Sequence, residues 1–147
     1  MKIFDLVLGA ALGTGGSIGA TWYFAKRQVR REAQIRLLLN IMPKLDPSKT
    51  NEAERVDGHS EPGVMDDLRS NAFLAGKQAD RLADAFETAL VKLKERNADT
   101  LEFAELDQES GELVVPAAYN DPYHEALAVA RKAFCSLKAH LKSKVLR

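Results

Sequence analysis

The chain has 147 residues with 21 basic and 21 acidic side chains, a formal net charge of zero. That balance excludes the uniformly basic surface of a nucleic-acid binder, and a single cysteine, Cys135, excludes an internal disulfide framework. Three scattered histidines, with no Ser/His/Asp arrangement and no metal-ligand spacing, give no catalytic, cofactor-binding or metal residue to name, so no enzyme and no cofactor are expected.

Residues 3–25 carry one charge, Asp5, and are followed at once by Lys26, Arg27, Arg30 and Arg31. As a helix this stretch is about 34 Å long, enough to cross a hydrocarbon core of about 30 Å. Trp22, Tyr23 and Phe24 precede the cations, where an aromatic belt meets headgroups. The stretch therefore reads as a single transmembrane helix. It holds five glycines, and Gly9, Gly13, Gly16 and Ala20 recur at spacings of 4, 3 and 4, on one helical face. The overlapping pairs Gly9–Gly13 and Gly15–Gly19 widen that face into a groove. Lipid tails give no hydrophobic reward for helix association, so close backbone approach through small residues drives it. Asp5, four residues before Gly9, points into the same helix-packing interface. Trp22, Tyr23, Lys26, Arg27, Arg30 and Arg31 are the expected membrane-surface contacts, on anionic lipid headgroups.

Two other readings of this stretch fail. A cleaved signal peptide needs a basic start and a small-residue cleavage site; only Lys2 is basic there, and the cation cluster lies on the wrong side. A dinucleotide-binding G-x-G-x-x-G starting at Gly13 needs a third glycine where Ile18 stands. The weight of positive charge after the span places the N-terminus outside and the rest in the cytoplasm.

Charge is unevenly laid out. Residues 26–44 net +5, residues 45–121 net −10, and residues 122–147 net +5. The first basic block fits an anionic leaflet, and the basic tail is expected to pair with the acidic middle.

After the span, residues 26–42 contain no Gly or Pro and extend the helix to Pro43, which stops it. Leu37, Leu38, Leu39, Ile41 and Met42 make an apolar end that something must bury. Residues 43–63, with three prolines and two glycines, form a linker, and His59 stands in it without a second ligand. Residues 65–96 are periodic: Met65, Leu68, Ala72, Ala75, Ala79, Leu82, Phe86, Ala89 and Leu93 alternate spacings of 3 and 4, the stripe of a coiled-coil-like helix. Asp66 and Asp67 favour its start, and Asn97 its end. Residues 98–118 read as a short β-hairpin or loop, acidic through Glu102, Glu105, Asp107, Glu109 and Glu112, without a calcium-loop spacing. Asp121 as N-cap and Pro122 at the first helical position open a last helix with the stripe Leu127, Ala130, Phe134, Leu137 and Leu141. Cys135 is expected at the edge of its core.

The expected fold is mainly α: a transmembrane and juxtamembrane helix over 1–42, a linker over 43–63, and a cytoplasmic domain over 64–147. That domain is an antiparallel helical hairpin with the β-hairpin or loop as insert. The function expected is that of a single-pass membrane-anchored adaptor or accessory subunit. Its partners are the membrane and other transmembrane helices, its own or those of a larger complex. The alternative is a small oligomeric pore or membrane-disrupting effector, with Asp5 and the threonines turned inward. Three hydroxyl side chains in one half of the span do not make a continuous polar stripe, which favours the adaptor.

Overall fold

The computed structural model describes residues 3–47, 63–107 and 111–146, with side chains from Gly19 onward in the first segment. The described residues are mainly helical, about 85%. Helix α1 runs Ile3–Arg36, followed by a π turn (Leu37–Ile41) and a 3-10 turn (Met42–Lys44). Helices α2 (Val64–Ala75) and α3 (Lys77–Glu102) lead to a two-strand ladder, β1 (Glu105–Leu106) and β2 (Leu113–Val114), and α4 (Ala117–Val145) closes the chain. The linker over 43–63 falls mostly outside the described residues, as do His59 and Glu109.

The helix-to-linker transition is softer than Pro43 alone predicts. Proline lacks an N–H and its ring collides with the carbonyl four residues back, here that of Leu39. That carbonyl lies inside the π turn, whose wider hydrogen bonding (Met42 N–H to the Leu37 carbonyl) moves it away. The chain thus reaches Leu45 without a sharp break, and Leu37, Ile41, Met42 and Leu45 all face inward.

Each helix is antiparallel to the next. Arg30 and Gln34 reach Ala75, while Asn40 and Lys44 lie beside Val64 and Asp67, so α1 and α2 run in opposite directions. Arg69 pairs with Glu87 across the one-residue corner at Gly76, folding α2 back on α3. Phe86 meets Phe134 at 5.5 Å and Phe103 stacks on Tyr119 at 4.2 Å, which makes α3 and α4 antiparallel.

One buried cluster serves all of these elements. It joins Ala33, Leu37, Ile41, Met42 and Leu45 to Leu68, Ala72, Ala75, Ala79, Ala83 and Phe86, and to Phe134, Leu137 and Leu141. Of the apolar end after α1, Leu37, Ile41 and Met42 are buried against α2 and α4 and Leu38 is partly buried, whereas Leu39, expected to be covered, is exposed. Where α2 turns into α3 the buried residues are alanines, which lets the backbones approach closely. Two buried polar side chains are satisfied locally, Asn71 donating to the Asp67 carbonyl at 2.8 Å and Thr100 to that of Asn97 at 2.8 Å, and a third, Gln34, bonds across helices to Ala75.

Four sequence expectations need correction. The periodic stretch over 65–96 is two helices, because Gly76 adopts φ 117°, ψ 164° and ends α2 after Ala75. The second of these helices does not stop at Asn97 but runs to Glu102. The hairpin is real but minimal, with Glu105 opposite Val114 and Leu106 opposite Leu113; Leu101 belongs to α3. Helix α4 starts five residues early: Pro116 is its N-cap and accepts from the amides of Tyr119 and Asn120, so Asp121 caps nothing and Pro122 lies inside the helix.

Candidate functional site

The surface that the sequence singles out is the outer half of α1. Of the expected packing residues, the side chains of Asp5, Gly9, Gly13 and Gly16 lie outside the described residues, although α1 is helical from Ile3. Ala20 is exposed, and among the described residues nothing stands against Gly19. Trp22, Tyr23 and Phe24 are all exposed, Trp22 by 65%. One helical turn on, the Lys26 ammonium sits 4.9 Å from the centre of the Trp22 ring, an aromatic–cation pair at i,i+4. Lys26, Arg27 and Arg31 are exposed on the helix surface.

Arg30 has a second use that the sequence did not announce. Its Nε donates to the Ala75 carbonyl at 2.7 Å, and the Gln34 amide donates to the same oxygen at 3.1 Å. Two side chains of α1 thus satisfy an end carbonyl of α2, which a helix leaves without an internal partner. A Cβ at Gly76 would collide with the Arg30 guanidinium. The available signal was Gly76 itself, an isolated glycine inside a helical pattern.

The same end of the bundle receives α4. His140 is half-buried and its pKa is held below the ordinary value by burial, and further by the positive charges of Lys144 and Arg30. With Phe86 on Phe134 and Leu141 in one cluster with Ala79, the turn of His140 and Leu141 lies beside the Gly76 corner, which Arg30 touches. Because α4 runs opposite to α1, the turn from His140 to Lys144 climbs toward Lys26.

The opposite end is acidic. Glu102, Glu105, Asp107 and Glu112 are exposed around the hairpin, beside the exposed apolar residues Leu106, Leu113 and Val114. Among the described residues no group of His, Cys, Asp and Glu is placed to hold a metal ion. Ion pairs join Arg69 to Glu87 and Asp66, and Arg96 to Asp99, all within the acidic middle. Among the described residues the basic tail is not paired with that middle, contrary to expectation. Glu87's hydrogen bond and charge also hold the Arg69 pKa above its ordinary value.

A hollow of about 310 Å³ opens beside the π turn, with Ile41 and Val64 as its floor and Arg36, Asn40, Lys44 and Asp67 around its mouth. Cys135 is exposed rather than at the core edge, because position 135 falls on the opposite side of α4 from Leu137 and Leu141.

Among the described residues no helix is long and apolar enough to cross a membrane. Most of the expected span, residues 3–18, lies outside the residues whose side chains are described. Comparisons with known protein families, with curated proteins and with solved structures found no match to this chain.

Proposed function

We propose that the chain is a single-pass membrane-anchored helical adaptor or accessory subunit, with its N-terminus outside and its helical bundle at the cytoplasmic face. On this reading it is not an enzyme; it works by holding other components at the membrane. The observation that carries the proposal is the run of 23 residues with a single charge that ends in Trp22-Tyr23-Phe24 and a cation cluster. The unbroken backbone of α1 from Ile3 to Arg36 supports it, since one rigid helix then joins the proposed span to the core. Exposure of the aromatic triplet supports it too, because no described residue of the bundle covers these rings.

Association through the Gly9/Gly13/Gly16/Ala20 face is tested by two variants. Gly13→Leu forces partner helices apart and should weaken cross-linking in detergent, whereas Leu12→Ala, on an adjoining face by helical spacing, should leave it intact. A reporter fused after Arg147 should be active only in the cytoplasm. Extraction of the whole chain into water without detergent would overturn the membrane reading. Ion leakage on expression, abolished by Asp5→Ala or Thr14→Val, would replace the adaptor with the pore.

A further inference from the structure

The expected membrane contacts all lie on α1, yet the bundle brings a second set of residues to the same level. Arg30, which touches the Gly76 corner, lies five residues beyond Ala25, about 8 Å along the helix. That is about one Debye length at physiological salt, so charges on this end of the bundle feel an anionic surface at the end of the proposed span. Phe73 and Leu74, in the last turn of α2, are exposed here, Phe73 by 72%. Lys77 stands just past the corner, and Lys142, Lys144 and the exposed Leu146 end α4. The Phe86–Phe134 contact fixes the height of α4: seven residues on in α4 and seven back in α3, Leu141 stands level with Ala79, beside the Gly76 corner.

We propose that this end of the bundle, with Phe73, Leu74 and Lys77 at the corner and Lys142 and Lys144 at the end of α4, docks on the anionic leaflet that α1 crosses. The aromatic and aliphatic side chains enter the headgroup layer, and the lysines lie against lipid phosphates and carboxylates. Charge complementarity selects the occupant. Lys77 follows the apolar pair just past the corner, Lys142 and Lys144 lie at the same end of the bundle and continue the basic block of α1, and the acidic hairpin is carried to the far end, away from the lipid. The basic tail, unpaired with the acidic middle among the described residues, thereby has a use. The domain is held at two points, the α1 stalk and the corner, and stands with its hairpin outward.

This inference rests on the anchored reading of α1, and the test separates the two. The full chain carrying Phe73→Cys and Cys135→Ser is labelled at position 73 with an environment-sensitive fluorophore. It is then reconstituted in vesicles of phosphatidylcholine alone or mixed with phosphatidylserine. Phe73 and Cys135 are exposed, so neither change disturbs the core, which the helical circular dichroism checks. The probe should brighten and shift blue only with phosphatidylserine, and high salt should reverse this. Adding Lys142→Gln and Lys144→Gln should weaken docking on the order of tenfold. In the unlabelled chain, quenching of Trp22, the only tryptophan, by brominated lipid reports the anchor independently. Quenched Trp22 with a probe indifferent to phosphatidylserine overturns the docking alone and leaves that face to a protein. An unquenched Trp22 in both vesicles overturns the anchor and the docking together.

Discussion

Position 76 admits only glycine without strain. With φ 117° and ψ 164° it occupies a region that only glycine enters at low cost, and the space where a side chain would stand holds the Arg30 guanidinium. Gly76→Ala should therefore cost about 1–3 kcal/mol from backbone strain, plus whatever Arg30 loses by leaving the Ala75 carbonyl. Arg30→Ala alone should cost less, about 0.5–1.5 kcal/mol, because Gln34 still donates to that oxygen. The double variant Arg30→Ala/Gln34→Ala should exceed the sum of the singles, since only then is the carbonyl left without a donor. Urea unfolding of Arg30→Ala, Gln34→Ala and the double variant measures the coupling. His140 supplies a pH dependence from the same corner. Its pKa is lower in the folded chain than the ordinary 6.5, so the unfolded chain binds the proton more readily. Its contribution is thus fully present above that value and is lost as pH falls below it, down to the depressed folded value. His140→Gln should flatten the decline in melting temperature between neutral pH and mildly acidic pH. An unchanged slope would show that other groups cause it.

At the scale of elements, the stripes were legible and the breaks were not. All five positions read for α4, Leu127, Ala130, Phe134, Leu137 and Leu141, are buried. Of the nine read over 65–96, Leu68, Ala72, Ala75, Ala79, Phe86 and Ala89 are buried, and Met65, Leu82 and Leu93 are half-buried. Periodicity reports which face is covered, and a one-residue corner at Gly76 hardly disturbs it, so the stripe concealed the turn between α2 and α3. The start of α4 was misread for a related reason. Asp-Pro is a strong local helix opening, but Pro116 lies earlier and the chain leaves β2 already turning, so the helix begins before the better cap. The core makes a direct prediction here. Phe86, fully buried against Phe134, should cost about 3–5 kcal/mol on Phe86→Ala. Phe73→Ala, on an exposed position, should change stability by less than about 0.5 kcal/mol. Equal losses from the two, read by thermal melting, would mean that Phe73 is covered by something in the folded chain.

For the molecule as a whole, the sequence suggested a boundary at residue 42 between anchor and domain, and the buried cluster crosses it. Leu37, Ile41, Met42 and Leu45 each stabilise the bundle by about 1.5–3 kcal/mol through burial. Their sum, about 6–12 kcal/mol, is comparable with the entire stability of a small domain. A fragment of residues 63–147 should consequently lose cooperative unfolding, while residues 27–147 should keep it. Calorimetry of the two fragments decides the matter, and a sharp transition in the shorter one would show that α2, α3 and α4 suffice. The membrane-packing face, by contrast, remains a reading of spacing alone, since the side chains of Asp5, Gly9, Gly13 and Gly16 lie outside the described residues.

The antiparallel seating of α1 beside α2 also has a mechanical meaning. A tension that draws α1 toward its N-terminus acts along the helix axis, parallel to the seam with α2. Ala33, Leu37, Ile41 and Met42 then bear the load together, in shear, rather than one after another as in a zipper. The two bonds to the Ala75 carbonyl lie at the loaded end and yield first. The hairpin tip hangs from the opposite end of the bundle, outside the line of force. Thermal agitation of the proposed anchor would thus reach the corner at Gly76 before it reached the exposed acidic tip, and a partner bound at that tip would ride on a body that moves as one piece.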